Sequence, residues 1–240
     1  MLEVYAEFAE NVMAIPVIRG EKTADERFPG AQNTYTIEAM MQDGKSLQAG
    51  TSHDLGQTFA KSANIQFQSE QGQMELAHTT SWGMSTRTIG GVIMVHGDDD
   101  GLRLPPGLAP TQIIILPMLK DDDTKAAIMA ACETLEKRLK AKGLRVAIDR
   151  KEGRFGDKIW GWIKKGVPLR VEIGGREAEA GQITVTRRDL GRDSKQTISA
   201  DEMVDNADAM LTAIHKNMFE QAKAFRDANI TTVETASDIG

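Results

Sequence analysis

The 240-residue chain has one cysteine, Cys132, and four histidines. A single thiol excludes an internal disulfide and any all-cysteine zinc site, and it suits a reducing cytoplasm. No apolar run approaches the ~20 residues needed to cross a bilayer, so no membrane partner is expected. The opening MLEVYAEFAENVM lacks a basic stretch ahead of an apolar one and does not read as a signal peptide. There is no internal repeat. The chain is 40% hydrophobic and 27% charged, the composition of a globular protein with enough apolar material for one large domain or two of ordinary size.

A net charge of −6 looks wrong for a nucleic-acid binder until it is divided along the chain. Residues 1–110 hold 7 Lys and Arg against 14 Asp and Glu, residues 111–200 hold 19 against 13, and residues 201–240 hold 3 against 8. A basic middle segment can contact phosphates despite acidic flanks, because binding follows the local field. Uneven surface charge with no function is the competing reading.

Hydrophobic spacing predicts a helix over residues 2–14 and an irregular loop over IPVIRGEKTADERFPGAQ. Two strands then meet at Asp43-Gly44, a strong turn signal. A second hairpin turns at Glu70-Gln71-Gly72, and STRTIGGVIMVHG suits a buried helix carrying Ile89, Val92, Ile93 and Met94. The Pro- and Gly-rich GLRLPPGLAPTQ marks a linker. Beyond it strands alternate with helices: TQIIILPM, the helix of DDDTKAAIMAACETLEKRLKAKG, LRVAID, the helix of RFGDKIWGWIKKG, VPLRVEI and QITVTRR. That alternation implies a mainly parallel sheet covered on both faces. A long helical stretch follows, opened by the capping-box pattern Ser199-Ala200-Asp201-Glu202. The last dozen residues are polar, with no pattern of their own.

Three features carry candidate chemistry. Ser52, His53 and Asp54 are adjacent, but a strand points Ser52 and Asp54 to one side and His53 to the other, so they do not form a nucleophile relay. Arg87 sits where a turn feeds an apolar helix, either paired with a carboxylate or offered to a ligand's phosphate or carboxylate. HGDDDG lacks the alternating ligands of a calcium loop and reads as a solvated turn.

Three long runs, IPVIRGEKTADERFPGAQNTYTIEAMMQDGKSLQAGTSHDLGQTFAKS, TTSWGMSTRTIGGVIMVHGDDDGLRLPP and GDKIWGWIKKGVPLRVEIGGRE, closely resemble prolyl-tRNA synthetases of the type shared by eukaryotes, archaea and some bacteria. The resemblance covers nearly the whole chain, in order. It implies an α+β antiparallel remnant of a class II catalytic sheet over residues 1–109. An α/β anticodon-binding domain with a mainly parallel sheet follows over 110–212, and the helical start of a C-terminal region over 213–240. By resemblance LQAGTSH floors an adenylate site: Gln48 and Thr51 contact ATP, and His53 faces proline. Ser81, Trp82 and Gly83 wall the proline ring, and Arg87, in the likeness of motif 3, clasps the γ-phosphate as the catalytic residue. Arg150, Lys151, Arg154, Lys158, Lys164, Lys165 and Arg170 become candidates for the tRNA backbone. Trp160 and Trp162 are either stacking surfaces or core. The implied activity is ATP- and Mg2+-dependent ligation of proline to tRNA(Pro) in the cytoplasm, with no metal site assigned to this chain's own residues.

The resemblance also has departures. Gly107, His78 and Ile163 stand where the family tends to have an arginine, an aromatic and an acid. Motif 1, the acidic proline-binding loop and motif 2 find no counterpart. The chain alone is therefore expected to be inactive, and to associate with another copy or with an N-terminal half. The alternatives are a non-catalytic anticodon-binding fragment and a synthetase-like paralogue of altered specificity.

Overall fold

A computed structural model describes residues 1–119 and 122–235. They form two compact units, one of residues 1–11, 15–95 and the segment from 222 onward, the other of residues 12–14 and 96–221.

In the first unit the alternating hairpin around Asp43-Gly44 becomes β2 (Asn33–Met40) and β3 (Ser46–Gly56). The Lys45 amide donates to Asp43 Oδ1 at 3.0 Å, and Gly44 takes a positive φ of 76° that a side chain would disfavour. β1 (Val17–Glu21) and β6 (Thr79–Gly83) complete a four-stranded antiparallel sheet in the order β1-β2-β3-β6. β1 corrects the expectation of an irregular loop. Its five residues are too few and too charged to show a period, and pairing with β2 decides their structure. Arg19 on this strand reaches Glu3 and Glu10 of α1 (Leu2–Asn11). That helix is three residues shorter than expected, since Ala14 turns to a left-handed φ of 54°.

The sheet has two unlike faces. Tyr5, Ala6 and Ala9 of α1 are buried, as are Val17, Ile37 and Ala39, which share one face by register. The Tyr5 ring packs over Gly50, where a Cβ would stand 3.4 Å from it. The other face carries Thr34, Thr36 and Glu38 of β2 and, in register with them, Gln48, Thr51 and His53 of β3. A bulge at Ala49 keeps Gln48 on that side.

Next come α2 (Thr58–Ala63) and a separate ribbon of β4 (Gln66–Gln68) and β5 (Met74–Leu76) on the expected turn. The last helix of the unit, α3 (Arg87–His96), was expected to be buried; Val92 is, but Ile89 (61%), Ile93 and Met94 are exposed. Two adjacent glycines and a four-residue apolar run read as core from any direction, and the sequence does not show that the helix meets the sheet on one side only.

The second unit is built on β7 (Ile113–Pro117), whose five residues are buried. α4 (Asp122–Ala141) crosses to β8 (Val146–Ile148), and α5 (Phe155–Lys164) crosses back to β9 (Leu169–Ile173), both strands parallel to β7. After α6 (Gly175–Ala180) come β10 (Gln182–Arg187) and β11 (Gln196–Ser199), both antiparallel, giving the order β11-β10-β9-β7-β8. The fourth strand is antiparallel to the third, because the short α6 turns the chain back instead of crossing the sheet. Ile113 and Ile115 pack with α4 and with α7 (Ala200–Ala228), whereas Ile114 and Leu116 pack with Phe155, Ile159 and Trp162 of α5. Each such buried isoleucine is worth roughly 1.5–3 kcal/mol relative to exposure.

The capping box appears at α7, where the Glu202 amide donates to Ser199 Oγ at 3.0 Å. The start of the aspartate run before α4, at Asp121, and the final five residues of the polar tail lie outside the described residues. The Pro-rich segment is held through its carbonyls. Arg145 donates from Nε to Ala109 O at 2.8 Å and from Nη2 to Pro106 O at 2.7 Å and Gly107 O at 3.2 Å.

Candidate functional site

The polar sheet face of the first unit gathers most of the residues singled out there. Pairing of β3 with β6 adds Ser81 and Gly83, opposite His53 and Thr51. Arg87 is the first residue of α3, exposed, and donates from Nη1 to the Gln48 carbonyl at 3.2 Å. Among the described residues it has no carboxylate partner, which leaves the ligand-facing alternative.

His53 is held from several sides. Its Nδ1 lies 3.0 Å from Thr34 Oγ1, which already accepts the Phe28 amide at 3.2 Å, and its Nε2 lies 3.4 Å from Thr51 Oγ1. Each ring nitrogen thus faces a hydroxyl able to donate or accept, which holds the ring in place in either tautomer. Burial, and then the nearby charge of Lys22, lower its pKa and favour the neutral form. The Phe28 ring stacks on the imidazole at 4.9 Å between centroids. Ser52 and Asp54 share the opposite face with Thr80 and Trp82, as the alternation requires, so no relay exists. Trp82 is therefore paired with Ser52 and not with His53. Both Trp82 and His53 nevertheless line one cavity of about 250 Å³, with Leu2, Tyr35 and Ser52.

In the second unit a cleft of about 420 Å³ opens beyond the carboxyl ends of β7 and β8, the end of such a sheet at which ligands usually bind. Lys125, Asp149, Arg150, Lys151 and Lys158 line it. A neighbouring hollow of about 350 Å³ lies between Lys151, Arg154, Trp162 and Lys165. Asp149, buried, is the hinge of both: its Oδ2 accepts the Trp162 indole N–H at 2.7 Å, and Lys158 Nζ lies 3.9 Å from its Oδ1. Lys165 sits over the Trp162 ring at 4.2 Å. Arg150 reaches Glu133 at 3.0 Å but stays half exposed. Lys151, Arg154 and Lys164 are exposed. Arg170 is largely buried, paired with Glu172 at 3.0 Å. Trp160, at 38% exposure, has Arg192 near its ring at 5.8 Å.

Residues 112–209 match the family model of the anticodon binding domain. The proline–tRNA ligase of Novosphingobium aromaticivorans is 52% identical over 239 residues, 95% of this chain and 46% of that protein. That of Bdellovibrio bacteriovorus is 49% identical over 243 residues, 99% of this chain and 49% of that protein. The crystal structure of a prolyl-tRNA synthetase from Cryptosporidium parvum, complexed with L-proline and AMP, superposes with a TM-score of 0.89 at 38% identity. The match covers 99% of this chain and 51% of that one. The chain is homologous to the C-terminal half of prolyl-tRNA synthetase.

It spans about half the length of the synthetases it matches. The antiparallel sheet followed by a mixed, mainly parallel one is the fold of that region. Within this synthetase frame, two groups on the polar face escaped the reading of the sequence. Glu38 holds its carboxylate there through Thr36 Oγ1 at 2.7 Å and Ser46 Oγ at 3.0 Å. The only signal was an acid at an inward-alternating position. Phe28 lies in a stretch taken as loop, and only the fold brings it to His53.

Proposed function

We propose that this chain supplies, within a prolyl-tRNA synthetase, the floor on which proline and ATP form prolyl-adenylate and the module that binds the anticodon region of tRNA(Pro). One observation carries the reading: an exposed, carboxylate-free arginine, Arg87, hydrogen-bonded to the strand whose side chains form the polar face. Phosphoryl chemistry of this kind needs positioning and charge neutralisation more than covalent participation. Arg87 answers the γ-phosphate, Gln48 and Thr51 the nucleotide, and neutral His53 with Ser81, Gly83 and the Phe28 ring the small apolar proline. Trp82 walls that pocket only from behind the sheet.

Mg2+ bound through triphosphate oxygens needs one or two carboxylates, and Glu38 is an acid on this face suited to it. Among the described residues no group of three His, Cys, Asp or Glu could hold a metal by itself. Mg2+ would add charge neutralisation at the phosphates.

For tRNA(Pro), the exposed Arg150, Lys151, Arg154, Lys164 and Lys165 take the backbone, Trp160 offers a stacking face, and Lys158 and Arg170 support the surface from beneath through Asp149 and Glu172. Among the described residues no helix is long and apolar enough to cross a membrane, and the lone thiol favours the cytoplasm as the compartment.

The test is made in the full-length synthetase that contains this segment. Arg87→Ala should lower proline-dependent ATP–pyrophosphate exchange by roughly 10²–10³ while leaving tRNA(Pro) affinity unchanged. Lys151→Ala and Arg154→Ala should do the reverse, each reducing the salt slope of tRNA binding by about one. Unchanged exchange in Arg87→Ala would sink the reading. A binding role without ligation is favoured by one feature, the basic segment having its own core. Salt-dependent tRNA(Pro) binding by this chain, with no exchange in any longer form, would select it.

A further inference from the structure

HGDDDG is the exposed turn that the sequence suggests, closed by a bridge between Asp98 and Gly101, but its first aspartate is also an anchor. Asp98 receives both Nη groups of Arg188, at 2.7 and 2.5 Å, and Arg188 is itself nearly buried. The same guanidinium donates from Nε to the carbonyl of Ile163, in the last turn of α5, at 3.2 Å. The residues after Asp98 run along that helix end. The Leu102 amide donates to Lys164 O at 3.0 Å and the Leu104 amide to Gly166 O at 3.1 Å.

Both segments carry a glycine at the contact. A Cβ on Gly101 would stand 2.7 Å from Lys164 Cα, and one on Gly166 would stand 2.7 Å from the Leu102 backbone, each at a positive φ. Such close approach admits no other residue. Helix ends leave carbonyls without partners; here, at the end of α5, the loop satisfies the Lys164 carbonyl, and Arg188 adds a bond to the Ile163 carbonyl, which also accepts the Gly166 amide at 2.9 Å. That helix carries Trp162 and Lys158, both engaged with Asp149, and Lys165 follows it directly.

We propose that Asp98 is a positioning residue for RNA binding: through Arg188 it fixes the C-terminal end of α5, and with it the Trp162–Lys165 wall of the hollow of about 350 Å³. The inference rests on the tRNA-binding role proposed above and adds to it a residue from the acidic part of the chain. Its signature is a reversal of sign. By field alone, removing a negative charge from a protein that binds a polyanion strengthens binding. Removing the Asp98 charge instead loosens α5 and weakens it.

The experiment measures affinity of the full chain for a tRNA(Pro) transcript in wild type, Asp98→Asn, Asp99→Asn and Arg188→Lys. A Trp82→Phe, Trp160→Phe background lets Trp162 emission be read alone. Asp98→Asn should bind roughly three- to tenfold more weakly and shift the Trp162 emission to the red, whereas Asp99→Asn binds as wild type or tighter with emission unmoved. Arg188→Lys keeps the positive charge but cannot serve Asp98 and Ile163 together, so it should weaken binding too. Equal behaviour of Asp98→Asn and Asp99→Asn overturns the proposal. If Asp98→Asn does not fold, Arg188→Lys decides, and wild-type binding there overturns it. If the wild type binds no tRNA(Pro), the RNA reading fails instead, and Trp162 emission alone tells whether Asp98 holds α5.

Discussion

Acid should weaken the second unit through one buried imidazole. His96 is 4% exposed, and its Nε2 lies 2.9 Å from the Met13 carbonyl, which fixes a proton on that nitrogen in the neutral ring. Burial above all pushes its pKa down to about 4; the bond to Met13 works against this, and the charges of Arg103 and His215 add to it. The unfolded chain has the ordinary value near 6.5. As pH falls, the unfolded state therefore takes up the proton first, and the contribution present above pH 6.5 is lost progressively towards pH 4. A shift of this size removes about 2 kcal/mol by pH 5 and about 3 kcal/mol by pH 4. Urea unfolding would be followed by tryptophan emission in a Trp82→Phe background, so that only Trp160 and Trp162 report, at pH 7.5, 6, 5 and 4. Carboxylates contribute to the raw pH dependence. Asp98 is one: burial tends to raise its pKa, but hydrogen bonds and charge from Arg188 hold it lower, so its stabilisation is also lost on acidification. Subtracting the profile of His96→Gln isolates the imidazole. If wild type and variant lose stability in parallel between pH 6.5 and 4, the argument from burial is wrong.

Three further outcomes follow from the packing. Cys132 is on the buried face of α4, and burial pushes its thiol up to about 12; it should ignore Ellman's reagent at pH 8 in the native chain and react fully in 6 M guanidinium. Gly101→Ala places a methyl against Lys164 at a φ of 128° and should lower the stability of the second unit by at least about 1 kcal/mol in urea melts. The exposed Ile89 and Ile93 lie four residues apart on α3; sedimentation should show species larger than a monomer, and Ile89→Glu should shift the distribution towards the monomer.

How much of this was legible in the sequence differs between the units. In the second, long apolar strands and well-marked helices placed β7, α4, β8, α5 and β9, because each signal is local. β10 was seen but its direction was not, since direction depends on whether the preceding segment crosses the sheet. In the first unit the hairpin turn at Asp43-Gly44 was plain, whereas β1 owes its existence to a partner twenty residues away. The polar sheet face was legible only as alternation: Gln48, Thr51 and His53 emerged together once the bulge at Ala49 was allowed for. Glu38 and Phe28 were not legible, because their places depend on strand register and a folded loop. The acidic turn was legible as a turn, but its ion pair was not, for a similar reason. Asp98 looks like its neighbours until Arg188, ninety residues on, arrives beside it.

The clamp made by Arg145 has a consequence for how the Pro-rich segment can drift over evolutionary time. Its three acceptors are main-chain carbonyls of Pro106, Gly107 and Ala109, groups that every amino acid provides. Inheritance can therefore rewrite much of that stretch without erasing its attachment. A change at codon 145 removes all three bonds in one step. A deep mutational scan should show a tolerant ribbon governed by one intolerant site thirty-six residues downstream of its last contact.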